Sequence, residues 1–157
     1  NTSFGVNGAA TRGMIVTILY RLEGEPAVSG TSAFDDVAAD QWYTNAVIWG
    51  TANKVVAGYG DSTYRPTQNI TREELAAILY RYAELKGYDV TVTEGAALNF
   101  PDGDEVSEYA RPAMLWAVEK GLINGMDNGT VSARSGATRA QVATILKGFC
   151  EKFVDAE

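Results

Sequence analysis

Histidine is absent from this sequence of 157 residues, and Cys150 is its only cysteine. Without histidine the chain cannot form a Ser-His-Asp or Cys-His catalytic site, and the usual zinc ligand sets are missing too. A single cysteine cannot form a disulfide within the chain. Cys150 follows Phe149 on an amphipathic stretch, so we interpret it as a small buried apolar side chain rather than a reactive thiol. These absences exclude the hydrolase mechanisms that rely on such residues.

Positive charge and long apolar runs are also scarce. Thirteen Lys and Arg stand against 20 Asp and Glu, which gives a formal net charge of −7. This surplus of negative charge repels phosphate backbones and anionic lipids, so we expect no nucleic acid partner. No apolar run approaches the roughly 18 residues that a membrane span needs, and the first residues lack a basic-then-apolar signal. We therefore expect no membrane insertion.

The most informative pattern in the sequence is a repeat built on the dipeptide Thr-Arg. It occurs at 11–12, 71–72 and 138–139, and apolar residues follow each threonine at four, seven, eight and eleven positions. This spacing keeps one face of a helix apolar, and the intervals between copies suit a helix pair with loops. The apolar positions are Ile15, Ile18, Leu19 and Leu22, then Leu75, Ile78, Leu79 and Tyr82, then Val142, Ile145, Leu146 and Phe149. Each copy thus predicts an amphipathic helix that begins at its threonine.

The same motif explains how these helices begin. Thr71 and Glu74 match the Thr-x-x-Glu/Gln capping box, in which each side chain accepts a hydrogen bond from the other residue's backbone N–H. The third copy has the same arrangement with a glutamine. Thr11 has Met14 at the corresponding position, so the first copy keeps the cap and loses the return bond.

A second amphipathic stretch precedes each of the two later Thr-Arg helices. Residues 42–53 and 109–120 carry apolar residues at helical spacing between turn residues, so each predicts a short helix. Gly58 and Gly60 follow the first stretch, Gly125 and Gly129 follow the second, and we expect these glycines to allow positive φ angles in tight loops. Residues 88–93 alternate in polarity and predict a short extended segment without an obvious partner strand.

These patterns predict one all-α domain over residues 1–157, with three helix-loop-helix repeats in a pseudo-threefold arrangement. Residues 1–26 form the second half of repeat 1, 27–87 form repeat 2, and 88–157 form repeat 3. The three Thr-Arg helices have long apolar faces and no cores of their own, so we expect a central bundle of these helices with the shorter ones outside. A linear stack of repeats is the alternative. Because repeat 1 starts halfway, we expect lost residues or self-association with a second chain to complete it.

An ordered set of residues spans 34–74: Phe34-x-Asp36-Val37, Trp42-Tyr43, Ala46-Val47, Gly58, Tyr64-x-Pro66 and Ile70-Thr71-Arg72-x-Glu74. This set resembles the S-layer homology (SLH) repeat, and the resemblance extends over nearly the whole chain. The third repeat departs from it at Gly103, Tyr109, Ala133 and Gln141. The resemblance implies a pseudo-trimeric helical domain with ligand grooves between neighbouring repeats. It also implies a secreted bacterial cell-surface anchor, without enzymatic activity or cofactor, that binds secondary cell-wall polysaccharides, often ones bearing pyruvate ketals.

The arginines of the repeat are the main candidate ligand-binding residues. Arg12, Arg72 and Arg139 each follow a helix cap by one position, where a side chain projects from the helix start. A guanidinium there can grip a carboxylate such as a pyruvyl group, helped by the positive end of the helix. Alternatively, each arginine pairs with Asp36 or Asp102 and holds neighbouring repeats together. Both interpretations remain open at this stage.

Aromatic and glycine residues complete the candidate set. Trp42 opens its helix, Tyr109 stands at the corresponding position of the next repeat, and such rings can stack against a sugar face. Gly58 and Gly125 either let a loop approach the ligand closely or only make a turn. The predicted ligand-binding residues are Arg12, Arg72, Arg139, Asp36, Trp42, Gly58, Asp102, Tyr109 and Gly125.

The sequence gives less support to other functions than to glycan anchoring. The acidic residues lack the ordered spacing of a calcium loop, so we predict no metal site. A glycosidase needs two carboxylates at a set separation across a cleft, and the sequence singles out no such pair. A structural or protein-interaction module of a surface assembly, without glycan binding, remains the alternative function.

Overall fold

The computed structural model describes residues 8–156, and the regular secondary structure in this range is helical, which confirms the predicted all-α class. Its α-helices are α1 (Arg12–Leu22), α2 (Thr44–Ala52), α3 (Arg72–Lys86), α4 (Arg111–Glu119) and α5 (Arg139–Phe149). The 3-10 turns Gly103–Glu105 and Glu108–Ala110 precede α4, and a π-helical turn, Cys150–Val154, follows α5. Within residues 8–156, no helix combines the length and the apolar character that crossing a membrane requires.

The Thr-Arg helices begin where the sequence predicts. The hydroxyl of Thr71 accepts a hydrogen bond from the Glu74 N–H at 3.2 Å, and the Glu74 carboxylate accepts one from the Thr71 N–H at 3.0 Å. The same capping box opens α5. Thr11 accepts a 3.3 Å bond from the Met14 N–H, and methionine has no carboxylate to return it. The capping predictions are therefore confirmed in all three copies.

The described chain divides into two compact units. One is Thr11–Asn69, in which α1 packs against α2. The other combines the segment that ends at Ala10 with the chain from Ile70 onward, and in it α3 packs against α4. In each unit the Thr-Arg helix of one repeat packs against the outer helix of the next. The threefold arrangement of helices and the predicted repeat boundaries stay predictions.

The buried face of α1 differs from the predicted one. Ile18 and Leu22, which the periodicity places on the apolar face, are both more than a third exposed. Val16 and Tyr20 are buried instead, because α2 lies on that side of the helix. The Tyr20 ring lies 5.8 Å from the ring of Trp49 on α2. On α3, by contrast, all four predicted apolar positions are buried.

Aromatic rings connect α3, α4 and α5 within the second unit. Phe149 on α5 lies 5.9 Å from Tyr82 on α3 and 6.4 Å from Trp116 on α4, measured between ring centroids. Phe153, in the π-helical turn, stacks on Trp116 at 5.8 Å. Cys150, predicted to be buried, lies half-buried beside this cluster, and burial raises the pKa of its thiol.

The alternating segment 88–93 joins no sheet within the described range and is held by α4 instead. The indole N–H of Trp116 donates to the backbone carbonyl of Asp89 at 3.2 Å. The backbone N–H of Thr93 donates to the Glu119 carboxylate at 3.0 Å. Side chains of the outer helix thus satisfy backbone groups that a partner strand would otherwise have to satisfy.

The residues that directly precede the three capping threonines form a ring of backbone hydrogen bonds. Ala10 N–H donates to the Ala137 carbonyl at 3.1 Å, Ala137 N–H to the Ile70 carbonyl at 2.9 Å, and Ile70 N–H to the Ala10 carbonyl at 2.9 Å. All three residues are buried. Each residue gives one bond and accepts one, so the ring is closed.

Candidate functional site

A cleft of about 580 Å³ opens beside the first turns of α5, in the unit that contains α3. The loop at residues 124–128 forms another wall, and the start of α3 contributes an arginine. The residues that line it include Arg72, Gly125, Asp127, Asn128, Gln141 and Thr144. Two of the predicted ligand-binding residues, Arg72 and Gly125, therefore meet in one cleft.

Arg72 is the first residue of α3, and its side chain is held by backbone carbonyls of the next repeat. It is 4% exposed. Its Nε donates to the Val131 carbonyl at 3.0 Å, and its Nη2 donates to the Asn124 carbonyl at 2.8 Å. Nη1 makes no hydrogen bond to another residue of the described range. Burial lowers the pKa of the guanidinium, and the nearby Asp102 carboxylate opposes that shift.

Arg12 repeats this arrangement in the unit Thr11–Asn69. Its Nε donates to the Tyr64 carbonyl at 2.9 Å, and its Nη2 donates to the Ala57 carbonyl at 3.0 Å. Its guanidinium carbon also lies 4.6 Å from the ring centroid of Tyr59 and 4.5 Å from that of Tyr64. In both units the arginine links the start of a Thr-Arg helix to the loop of the following repeat. This contact explains why an arginine recurs there whether or not a ligand binds.

Asp36 and Asp102 hold the same loops from their other side. The carboxylate of Asp36 accepts bonds from the N–H groups of Tyr64 and Arg65 at 2.9 and 2.8 Å. Asp102 does the same for the two corresponding residues of the next repeat, both at 2.8 Å. The bond from the Val131 N–H is the main cause that keeps the pKa of Asp102 below its usual value. Each aspartate thus fixes the loop residue, Tyr64 or Val131, whose carbonyl accepts the hydrogen bond from the arginine.

The predicted positive φ angles are confirmed for Gly60 and Gly129, both at 81°, and the prediction is wrong for Gly58 and Gly125. A Cβ atom on Gly58 would collide with the ring of Phe34, and one on Gly125 would lie 3.0 Å from the ring of Phe100. Both glycines lie close to the ring of the Phe-x-Asp motif of the same repeat, and the contact leaves room for no Cβ at Gly58 and little at Gly125.

The two exposed aromatic residues do not line the Arg72 cleft. Trp42 and Tyr109 are each 56% exposed. Trp42 lines a separate cleft in the unit Thr11–Asn69, and Tyr109 lines a small one between α3 and α4. Neither of the predicted aromatic residues therefore lines the same cleft as Arg72.

Arg139 is the first residue of α5 and is half-buried. Its backbone N–H donates to the Gly8 carbonyl at 2.8 Å, which matches the backbone bond from Arg72 to the Ser135 carbonyl at 3.0 Å. The first-repeat counterpart of Val131 is Phe4, which lies outside the described residues.

Sequence reasoning missed most of the polar lining of the Arg72 cleft. Asp127, Asn128 and Thr144 are exposed residues without a periodic or motif signal. Gln141 was recognised only as a capping residue, although its side chain also faces the cleft and its Nε2 lies 3.8 Å from the sulfur of Met126. In the part of the chain that the structure describes, no three acidic or cysteine side chains are grouped so that they could hold a metal ion.

Comparison with known proteins gives two matches to one family model. The model of the S-layer homology domain matches residues 33–76 and 99–143. Together these segments contain Arg72, both glycines of the candidate set, both aspartates and both exposed aromatic residues.

Several curated proteins are similar to this chain. An amylopullulanase of Thermoanaerobacterium thermosulfurigenes is 31% identical over 97% of this chain. The surface-layer 125 kDa protein of Lysinibacillus sphaericus is 32% identical over 90% of it. A cellulosome-anchoring protein of Acetivibrio thermocellus is 33% identical over 60% of it. The chain spans only 8%, 11% and 21% of the lengths of these relatives, so the similarity concerns one region of much larger proteins.

Proposed function

Because this chain belongs to the S-layer homology domain family, we propose that it anchors a larger protein to the bacterial cell wall by binding an anionic secondary cell-wall polysaccharide. Domains of this family are cell-surface anchoring modules. The chain is accordingly a secreted, wall-associated module rather than a catalytic one. The relatives with enzyme names match it only over a small part of their length.

The observation that carries this proposal is the Arg72 cleft. The guanidinium is fixed by two backbone carbonyls, so no side-chain entropy remains to be lost when a ligand binds. Nη1 remains available to an anion at the cleft. The first turn of α5, with Gln141, adds the positive end of a helix dipole. A carboxylate on a sugar, such as a pyruvate ketal, is the ligand group that suits this arrangement.

The expected affinity of one such cleft is modest. A hydrogen bond to a charged group contributes about 1.5 to 3 kcal/mol, and the cleft offers few of them. A polymer with repeated anionic groups gains affinity when a second site of the same domain is occupied, because the second binding step is intramolecular. Arg12 and Arg139 are the residues that we propose for such further sites, and a second chain is a further source of them.

The experiment that tests the proposal is a calorimetric titration of the domain with purified wall polysaccharide, before and after mild acid removal of pyruvate ketals. We expect heat of binding with the native polymer and its loss after the treatment. Thr144→Trp should block the cleft, since Thr144 is an exposed lining residue of α5. Ala143→Trp is the matched control, because Ala143 is the exposed neighbour that does not line the cleft.

The titration separates three outcomes. Binding that survives ketal removal but not Thr144→Trp keeps the cleft and rejects pyruvate as the recognised group. Binding that neither change affects places the glycan elsewhere on the domain. An absence of binding to either polymer rejects glycan anchoring by this chain and favours a protein-interaction role in a surface assembly.

A further inference from the structure

The unit Thr11–Asn69 contains a second cleft, of about 560 Å³, which we call the Trp42 cleft. It lies between the second half of α1, the segment that follows α1, and the start of α2. The residues used below are Thr17, Arg21, Glu25, Gln41, Trp42 and Asn45, and all of them line it. Its walls are mostly polar side chains, while Trp42 supplies an exposed aromatic surface.

The indole of Trp42 is held in place although more than half of it is exposed. The ring of Tyr43 meets it edge-on at 5.0 Å with an interplanar angle of 83°. On α1, a Cβ atom at Gly13 would lie 3.2 Å from the Cη2 atom of Trp42, so the indole rests close to the helix backbone. A fixed and exposed aromatic ring is a ready stacking surface for the apolar face of a pyranose.

A buried hydroxyl at this cleft has no hydrogen-bond partner. Thr17 is 5% exposed, and its Oγ1 bonds to no other residue of the described range. Buried polar groups are nearly always paired, so an unpaired one at a cleft calls for a ligand group or water. Thr17 is also one of the residues that line the cleft. The amide side chains of Gln41 and Asn45 provide further donors and acceptors nearby.

The charges at the Trp42 cleft cancel each other. Arg21 and Glu25 both line it, and their side chains lie 3.8 Å apart as an ion pair. The lining arginine is thus paired with a lining carboxylate, whereas Arg72 is held by backbone carbonyls and pairs with no carboxylate that lines its own cleft. This electrostatic balance favours an uncharged ligand.

We propose that the Trp42 cleft binds an uncharged pyranose unit of a glycan, with the sugar face on the indole and its hydroxyl groups bonded to Thr17 and Asn45. This assignment rests on the proposed function and extends it to uncharged sugar units of a glycan. It does not require the Arg72 cleft to be occupied, since the two clefts share no lining residue.

The second unit contains a natural comparison for this site. The cleft at Tyr109 lies at the corresponding position of the repeat, with Arg81 where the first has Arg21. It measures only about 210 Å³, and Ala77 and Pro112 replace the threonine and the asparagine. The aromatic surface is kept there, while the hydrogen-bonding side chains and most of the space are lost. We expect this smaller cleft to contribute little to sugar binding.

Tryptophan fluorescence can report ligand binding in the Trp42 cleft selectively. Of the three tryptophans, Trp49 is 5% exposed and Trp116 is fully buried, so the quenchable emission comes from Trp42. The probe is the neutral β-1,4-linked trisaccharide of N-acetylglucosamine. We expect saturable protection of Trp42 from acrylamide quenching, with an affinity in the millimolar range that calorimetry reproduces.

Three variants test the assignment. Thr17→Ala copies the residue found at position 77 and should fold normally, and it should weaken the affinity about fivefold, the effect of losing one hydrogen bond. Trp42→Ala should abolish binding in calorimetry, while Trp42→Tyr should retain part of it. Tyr109→Ala is the matched control and should leave the affinity unchanged.

Two results would overturn the proposal: no saturable protection of Trp42 by the trisaccharide, or full affinity in both Thr17→Ala and Trp42→Ala. A trisaccharide affinity that is lost in Thr144→Trp would also reject it, because the sugar would then bind in the Arg72 cleft. Conversely, the domain could bind the trisaccharide and fail to bind the wall polymer. That result would support sugar binding in the Trp42 cleft and reject anionic anchoring, so each proposal can fail without the other.

Discussion

Nη2 of Arg72 donates a 2.8 Å hydrogen bond to the backbone carbonyl of Asn124, the residue directly before Gly125. A second bond from the same guanidinium reaches Val131. The arginine therefore has a structural role before any ligand binds. The structural alternative in the sequence analysis is an ion pair with Asp36 or Asp102. The hydrogen bonds that hold Arg72 go to backbone carbonyl oxygens instead.

Arg72→Ala should destabilise the domain. The substitution leaves two carbonyl oxygens without a charged donor, and each lost bond of this kind costs about 1.5 to 3 kcal/mol. We expect a total loss of about 3 kcal/mol in the free energy of unfolding, measured by urea denaturation. Arg21→Ala is the control, because Arg21 is exposed and should change stability by less than about 0.5 kcal/mol. Equal stability of the two variants would contradict a structural role for Arg72.

Asp102→Asn should make stability less dependent on pH in the acidic range. The folded-state pKa of Asp102 is lowered, mainly by the bond from the Val131 N–H. A lowered folded pKa means that the stabilisation is complete above the unfolded pKa of about 3.9 and is lost as pH falls through the folded value. The stability gap between wild type and variant should therefore be largest near neutral pH and shrink below about pH 4. Denaturant midpoints between pH 3 and pH 7 measure this, and a constant gap would contradict it.

Asp127→Asn should strengthen the binding of an anionic ligand in the Arg72 cleft. Asp127 lines this cleft and repels a carboxylate at short range, and it is exposed, so its removal should not affect folding. We expect a gain in affinity of about two- to fivefold at low salt that fades as ionic strength rises. Asp104→Asn is the control, because it changes the net charge equally and Asp104 does not line the cleft. A gain of the same size in both variants would indicate a general charge effect.

Gly58→Ala should destabilise the domain more than Gly125→Ala. The added methyl would meet the ring of Phe34 and lie 2.6 Å from the Thr63 carbonyl in the first case. In the second it would lie 3.0 Å from the Phe100 ring and no closer than 3.6 Å to the backbone. Overpacking typically costs about 1 to 3 kcal/mol, and we expect Gly58→Ala to lie toward the upper part of that range. Thermal melts of both variants give the order, and the reverse order would contradict the contacts described.

The helices could be predicted from the sequence because periodicity and capping are local. A Thr-x-x-Glu box fixes a helix start from four adjacent residues, and the structure has α3 and α5 where these boxes stand. The face that α1 buries was predicted less well. Ile18 and Leu22 have the right spacing, but which side of a helix is covered depends on where its partner packs, and that information is not local.

The candidate site shows the same limit. The sequence indicated Arg72 and Gly125 because both recur in the repeats. It did not distinguish a ligand-binding role of these residues from a structural one. The collision at Gly125 involves Phe100, and the bonds of Arg72 involve carbonyl oxygens, which every residue has. Asp127 and Thr144 reach the cleft only through the fold, since neither belongs to a motif.

The closed ring of Ala10, Ile70 and Ala137 has a consequence for the order in which the molecule assembles. The N–H of Ala10 donates to the carbonyl of Ala137, which lies 127 positions later in the sequence. A chain that is still emerging, whether from the ribosome or through a membrane, cannot complete the ring, because its final member arrives late. Contacts between residues so far apart in sequence also form slowly. Closure of the ring is therefore a late folding event, and without the segment that contains Ala137 the N–H of Ala10 would lose its partner.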